Sequence, residues 1–233
     1  DLTARKQAED PVNQYAEDLE TRNRELEQFV YVASHDLQEP MRKIQTFIEL
    51  IDEHAGDPGV ISKYLHKIDA SAKRMSALIT AILNYSRLTS FEDKYADTDL
   101  NDVLDQVKSD FELKIREKSA VVESDRLPVV RGIPLHLNQL FSNLISNSLK
   151  FSTPPARIRI SCRVISREDM KKETGTHQQT AFYELKFEDN GIGFDQQYAD
   201  QIFAMFRRLH SNQDYPGTGI GLALCKKIVE NHH

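Results

Sequence analysis

A histidine followed directly by an aspartate, His35-Asp36, lies in a stretch whose apolar residues recur at heptad spacing. With Val30, Ala33 and Leu37 on the seam, the heptad puts His35 at its outermost position, away from any core. Asp36 can accept a proton from one imidazole nitrogen and leave the other free as a nucleophile. No second His or Cys lies one turn away, which argues against a zinc ligand. Pro40 withholds the donor that the Asp36 carbonyl would meet in a regular helix and predicts a kink, at a cost of about 3 kcal/mol in an ordinary interior. An ordinary surface histidine is the competing reading.

A second set is Asn143, Asn147 and Lys150, at i, i+4 and i+7, opposite an apolar face of Leu137, Leu140, Phe141, Leu144, Ile145 and Leu149. Amide oxygens suit a hard cation such as Mg²⁺, and a lysine suits phosphate; a solvated helix face is the alternative. A third set is Asp189-Asn190-Gly191-Ile192-Gly193, which follows a strand whose inward residues are read as Tyr183, Leu185 and Phe187. Period two then turns Asp189 inward, where a carboxylate needs a partner such as an adenine amino group. A capped Asp-Asn-Gly turn would have the same sequence. A fourth set, Gly217-Thr218-Gly219-Ile220-Gly221-Leu222, opens the last helix; such glycines let phosphate approach backbone donors at a helix start. The spacing is neither a Rossmann nor a Walker fingerprint. Between the third and fourth sets, residues 202–216 read as a mobile lid anchored by Phe203 and Phe206 and carrying Arg207 and Arg208.

The elements that must position these groups fall into two halves. Residues 13–52 read as one long helix and residues 60–90 as a second, its seam formed by Ile61, Leu65, Ile68, Ala72, Met75, Ile79 and Ile82. A short Gly/Pro loop between them predicts an antiparallel hairpin. A lone hairpin cannot cover its own seam, so a homodimeric four-helix bundle is expected; a plain coiled coil is the alternative. The second half reads as a helix over 100–118, strands over 120–123 and 129–131, a helix from Pro134 to about Lys150, strands over 157–165 and 182–188 separated by a polar loop, and a final helix from near Gly219. Helices followed by strands predict an α+β layer.

Composition narrows the function. The 233 residues carry a formal net charge of −6, which argues against nucleic-acid binding. No stretch approaches the ~20 apolar residues that span a bilayer. The two cysteines, Cys162 and Cys225, form no CxxC and no disulfide framework, in keeping with a reducing cytoplasm. The first residue is Asp rather than Met, so a fragment is expected, with room for an upstream anchor.

In their order these motifs resemble the histidine kinases of two-component signalling. Residues 34–44 (SHDLQEPMRKI) are similar to that family's H box, 143–152 (NLISNSLKFS) to its N box, 189–195 (DNGIGFD) and 217–224 (GTGIGLAL) to its glycine boxes, and 202–210 (IFAMFRRLH) to its F box. The wording is similar to phytochrome-like, PAS- or GAF-linked members. The resemblance implies a long antiparallel helical hairpin, forming a dimeric four-helix bundle, followed by a Bergerat-type ATP-binding α+β sandwich. Its expected divisions are a linker helix over 1–28, a dimerisation and phosphotransfer domain over 29–92, and a catalytic domain over 97–233 that lacks its last two strands.

The resemblance further implies Mg-ATP-dependent phosphorylation of His35 and transfer to an aspartate of a response regulator. Asp36 would be the base. Asn147, assisted by Asn143, would hold Mg²⁺, and Lys150 and Arg208 would contact phosphates. Asp189 would read the adenine amino group. Gly191, Gly193, Gly217, Gly219 and Gly221 would shape the pocket, with Phe203, Thr218 and Leu222 beside it. Implied partners are a second copy, a receiver domain and an upstream sensor, in the cytoplasm. Where ATP-hydrolysing relatives of the fold carry a catalytic Glu, this chain has Asn143, which cannot act as a base for water. A phosphatase-biased enzyme and a catalytically silent dimeric scaffold are the competing functions.

Overall fold

A computed structural model describes residues 30–54, 56–88, 94–165, 182–209, 215 and 217–232. The expected linker helix over 1–28 and the polar loop over 166–180 lie outside the described residues. The chain divides into two compact units between Ile82 and Leu83.

The first unit is a helical hairpin. Helix α1 covers residues 30–53, and α2 runs from Pro58 to Arg87 across the unit division. The sequence starts α2 in two ways. Pro58 fits a first turn, where its missing N–H is no loss, and Asp57 Oδ1 accepts from the backbone N–H of Gly59 and Val60 at 2.9 and 3.2 Å. The cross-helix pairs run in opposite order along the two helices. Glu39 meets Arg74 at 3.4 Å, and the Phe47 and Tyr64 rings stack at 5.8 Å, so the hairpin is antiparallel. The helix is continuous through Pro40, whose side chain is buried. Ala33, Ser71 and Leu78 are also buried, whereas the apolar residues Met41 and Ile48 of α1 and the seam residues Leu65 and Ile79 of α2 stay 44–54% exposed. One hairpin therefore leaves an apolar stripe in water.

The second unit is an α+β sandwich. Strands β1 (Ala96–Asp99) and β3 (Val129–Gly132) pair antiparallel. In a separate sheet, β4 (Arg157–Ile165) is central, parallel to β2 (Val121–Ser124) and antiparallel to β5 (Phe182–Asp189). Helices α3 (Leu100–Asp110), α5 (Pro134–Phe151) and α6 (Gly221–His232) supply the other layer, with the short α4 (Glu112–Glu117) after α3. Val107, Phe141, Ile145, Ile158, Ile160 and Ile228 form the fully buried centre.

Local structure departs from the sequence pattern in three places. The helix expected over 100–118 breaks at Phe111 into α3 and α4. The strand β1 has no apolar alternation; it exists because β3 pairs with it, and Asp99 then caps α3 by accepting from Asn101 N–H at 2.8 Å. The clean alternation of β4 holds only as far as the core reaches. Ile158 and Ile160 are buried but Val164 is 65% exposed, and its partner Tyr183 is exposed with it.

Candidate nucleotide pocket and phosphoacceptor histidine

Helix α5 builds one wall of the candidate pocket. Pro134 starts the helix, and burial of Leu137, Phe141, Ile145 and Leu149 on the sheet fixes its rotation. That rotation turns Asn143, Asn147 and Lys150 into a cavity of about 540 Å³. Asn143 Oδ1 accepts from Gln139 Nε2 at 3.4 Å, while its buried Nδ2 has no partner in ordinary hydrogen-bond geometry among the described residues. A Cβ built on Gly221 would stand 3.9 Å from both asparagine amides, so the start of α6 closes over them. Beneath, burial pushes the Cys225 thiol up to about 12, with the Asn143 side chain pulling the other way.

The end of β5 supplies the opposite chemistry. Asp189 is exposed to the cavity rather than turned into the core, and it is not an orphan. Its Oδ2 accepts from the Ser148 hydroxyl at 2.9 Å and its Oδ1 from Gly191 N–H at 2.9 Å. The turn needs glycine because a Cβ at 191 would lie 2.7 Å from Asp189 Oδ1 and 3.1 Å from the Phe151 carbonyl oxygen. Asn190 is structural: its Oδ1 accepts from Arg157 N–H, and its Nδ2 donates to the Pro155 carbonyl.

Cationic groups converge on the same cavity. Lys150 and Arg208 both line it, and Arg208 Nη1 donates to the Gly217 carbonyl at 3.3 Å. A Cβ at Gly217 would stand 2.9 Å from Lys150 Nζ. Burial, and secondly the charge of Arg208, holds the Lys150 pKa below the ordinary lysine value. The glycine loop then enters α6 through Gly219, at φ +76°, where a Cβ would strike the Phe206 backbone at 2.8 Å.

Of the residues singled out from sequence, Asn143, Asn147, Lys150, Asp189, Gly193, Arg208, Gly217, Thr218, Gly219, Gly221 and Leu222 line this one cavity. Gly191 lies behind it, supporting Asp189. Phe203 is 41% exposed and does not line it. Sequence reasoning missed Ser148, Phe151, Ile192 and Tyr215, which do; the Phe151 and Tyr215 rings are 4.9 Å apart.

His35 and Asp36 belong to the helical unit. The His35 side chain is 70% exposed, and its Nδ1 lies 3.2 Å from Asp36 Oδ1. A carboxylate only accepts, so this hydrogen bond requires a proton on Nδ1, and in the neutral ring that tautomer leaves Nε2 as the nitrogen with a lone pair. One turn on, Glu39 accepts from Lys43 at 2.5 Å and pairs with Arg74. Lys43's hydrogen bond leads in lowering the Glu39 pKa, with smaller help from the charges of Lys43 and Arg74.

An exposed imidazole lies in a helical hairpin, and a cavity lined by Lys150 and Arg208 lies in an α+β sandwich. The comparisons identify both units. Residues 25–91 match the His Kinase A (phospho-acceptor) domain, and residues 132–233 match the histidine kinase-, DNA gyrase B-, and HSP90-like ATPase domain. The chain belongs to the histidine kinases, as its motifs implied. It is 35% identical over 235 residues to cyanobacterial phytochrome A of Nostoc, covering 96% of this chain and 28% of that protein. It is 33% identical over 238 residues to phytochrome-like protein Cph1 of Synechocystis, covering 97% and 29%. The chain thus spans under a third of the length of these relatives. Among solved structures, histidine kinase ThkA in complex with response regulator protein TrrA matches with a TM-score of 0.61 at 20% identity, covering 88% of this chain and 55% of that one. Full-length ShkA in complex with AMPPNP matches with a TM-score of 0.51 at 18% identity, covering 88% and 41%. These two likenesses establish the fold. Among the described residues no helix is long and apolar enough to cross a membrane.

Proposed function

We propose that this chain is the ATP-dependent core of a sensor kinase, which phosphorylates His35 and passes the phosphoryl group to an aspartate of a response regulator. The observation that carries this reading is the convergence of Lys150 and Arg208 on a cavity that also holds the Asp189 carboxylate. Burial, and secondly the charge of Arg208, disfavours the charged form of Lys150, and an anion beside its ammonium would offset both. A polyphosphate supplies that anion, and a 6-amino group on the base supplies a donor to Asp189. The AMPPNP bound by the ShkA relative and the TrrA regulator bound by the ThkA relative are in keeping with this assignment.

The donor set also fits Mg²⁺. Asn143 and Asn147 offer amide oxygens on one helical face, and among the described residues Asn143 Nδ2 is a buried donor with no partner in ordinary hydrogen-bond geometry. Bound Mg²⁺ would offset phosphate charge and favour departure of the γ-phosphoryl group. The chain's own residues do the rest. Lys150 and Arg208 hold the phosphate oxygens, Asp189 sets the base, and Asp36 keeps the proton on His35 Nδ1 so that Nε2 attacks. Proton-transfer chemistry of the hydrolytic kind is not favoured at Asn143, because an amide does not take a proton from water.

The exposed stripe of Met41, Ile48, Leu65 and Ile79 supports assembly as a homodimer, with the two stripes facing each other. The phytochrome-type relatives support an upstream sensor domain. We propose domain divisions of 1–28, 29–92 and 97–233 and a cytoplasmic site of action. Calorimetric titration tests the nucleotide assignment. ATP binding is expected to require Mg²⁺ in the wild-type chain and to weaken sharply in Asn147→Asp. Equal ATP affinity with and without Mg²⁺, unaltered in that variant, contradicts it.

A further inference from the structure

The N-box helix carries a buried hydroxyl between its two chemistry-bearing residues. Ser148 follows Asn147, precedes Lys150 by two, and is 5% exposed. A serine inside a helix ordinarily returns its hydroxyl to the carbonyl one turn back. Ser148 instead donates across to Asp189 Oδ2 at 2.9 Å, joining α5 to the end of β5. Gly191 N–H holds the other oxygen at 2.9 Å. With one donor on each oxygen, the carboxylate plane cannot rotate without breaking a bond. Each oxygen keeps a lone pair for a further donor.

The cost of losing Ser148 follows from its fixed place on α5. Water in the cavity can solvate Asp189 Oδ2 but does not hold its direction, so removing the hydroxyl leaves the carboxylate free to turn. Asp189 would then meet an incoming amino group in several orientations, only one of which is productive.

We infer that Ser148 is a positioning residue that sets base specificity, by locking the Asp189 carboxylate in the orientation that accepts from a 6-aminopurine. This rests on the proposed role of Asp189 as the base-reading group. It assigns discrimination between bases to a hydroxyl on the helix that carries the metal and phosphate groups.

The test uses the full chain with Mg²⁺ and two nucleotides, ATP and purine riboside triphosphate, which lacks the exocyclic amino group. Binding of the second nucleotide reports whether each variant keeps a folded pocket. Ser148→Ala should weaken ATP about 5- to 10-fold, the effect of one net hydrogen bond, and leave purine riboside triphosphate unchanged. Ser148→Thr, which keeps the hydroxyl, should retain most of the wild-type preference. In an Asp189→Asn background, Ser148→Ala should add no further loss of preference. Equal weakening of both nucleotides in Ser148→Ala, or no change in their ratio, overturns the inference. The two failures are separable. If Asp189→Asn shifts the ratio and Ser148→Ala does not, the serine role alone falls. If Asp189→Asn also leaves it unchanged, the reading of Asp189 falls and takes the serine role with it.

Discussion

Glu39 on α1 and Arg74 on α2 are joined by a 3.4 Å ion pair one helical turn beyond His35, with Lys43 completing the cluster. Glu39 is therefore neither a freely solvated surface residue nor a donor. An ionised carboxylate held by two cations cannot donate a hydrogen bond to orient a water toward the phosphoaspartate of a docked regulator. The phosphatase reaction should be weak in this chain. A phosphorylated receiver domain incubated with the chain and ADP should decay at nearly its intrinsic rate, and faster with Glu39→Thr. Rapid decay with wild type, unchanged in that variant, counts against the argument.

The same cluster gives a pH expectation. The Glu39 pKa is lowered on folding, chiefly by the Lys43 hydrogen bond. A depressed carboxylate stabilises the fold above its unfolded value and loses that contribution as pH falls through its folded value. Thermal unfolding of the hairpin should thus lose a small increment below about pH 4.5 that Glu39→Gln lacks. The group is one-third exposed, so the increment should not exceed the ~1 kcal/mol of a surface pair. An identical acid profile for wild type and Glu39→Gln would contradict it.

Lys150 should make nucleotide binding sensitive to alkaline pH. Burial and Arg208 lower its pKa in the free chain, and phosphate would raise it again. Affinity should be full while Lys150 is protonated and fall as pH rises through the lowered value, before an ordinary lysine would titrate. Lys150→Arg should flatten that fall. Lys150→Met should lose about 10- to 100-fold at neutral pH, as expected for a hydrogen bond to a charged group. ATP titrations from neutral to alkaline pH check this, and a pH-independent wild type would refute it.

Gly219 is the backbone position on which the pocket depends most sharply. An alanine at φ +76° costs about 1–2 kcal/mol, and its Cβ would lie 2.8 Å from the Phe206 carbonyl carbon. Gly219→Ala should therefore lose ATP binding while leaving the helical hairpin intact by circular dichroism. Retained ATP affinity would show that the loop can relax.

How much of this was legible in the sequence depended on whether the deciding partner is local. The stripe of Asn143, Asn147 and Lys150 follows from helical periodicity, so it was readable. His35 likewise follows from the heptad and is exposed as expected. Ser148 was missed because its hydroxyl partner is 41 residues away. Without it, Asp189 looked like an inward carboxylate awaiting a ligand, when Ser148 and Gly191 already hold it. The strand at Ala96–Asp99 was missed because β3, not side-chain patterning, creates it. The parallel pairing of β2 with β4 is a tertiary choice with no local signature. Pro40 withholds one backbone donor without ending α1, which runs on to residue 53 with the proline side chain buried.

The apolar stripe tests assembly without disturbing the hairpin. Ile48 and Leu65 are about half exposed in the single chain, so glutamates there cost little in a monomer. In a bundle they would bury unpaired charge. Sedimentation should give dimers for wild type and monomers for Ile48→Glu with Leu65→Glu. Unchanged dimers in the double variant would place the interface elsewhere.

The central claim is that the exposed imidazole of His35 receives the γ-phosphoryl group, and one measurement addresses it directly. The chain is incubated with Mg²⁺ and γ-labelled ATP, and the label is followed through acid and alkali treatment in wild type and His35→Gln. A phosphoramidate bond predicts a label lost in acid, kept in alkali and absent from His35→Gln, which should still bind ATP like wild type. A label that persists in His35→Gln would contradict the account.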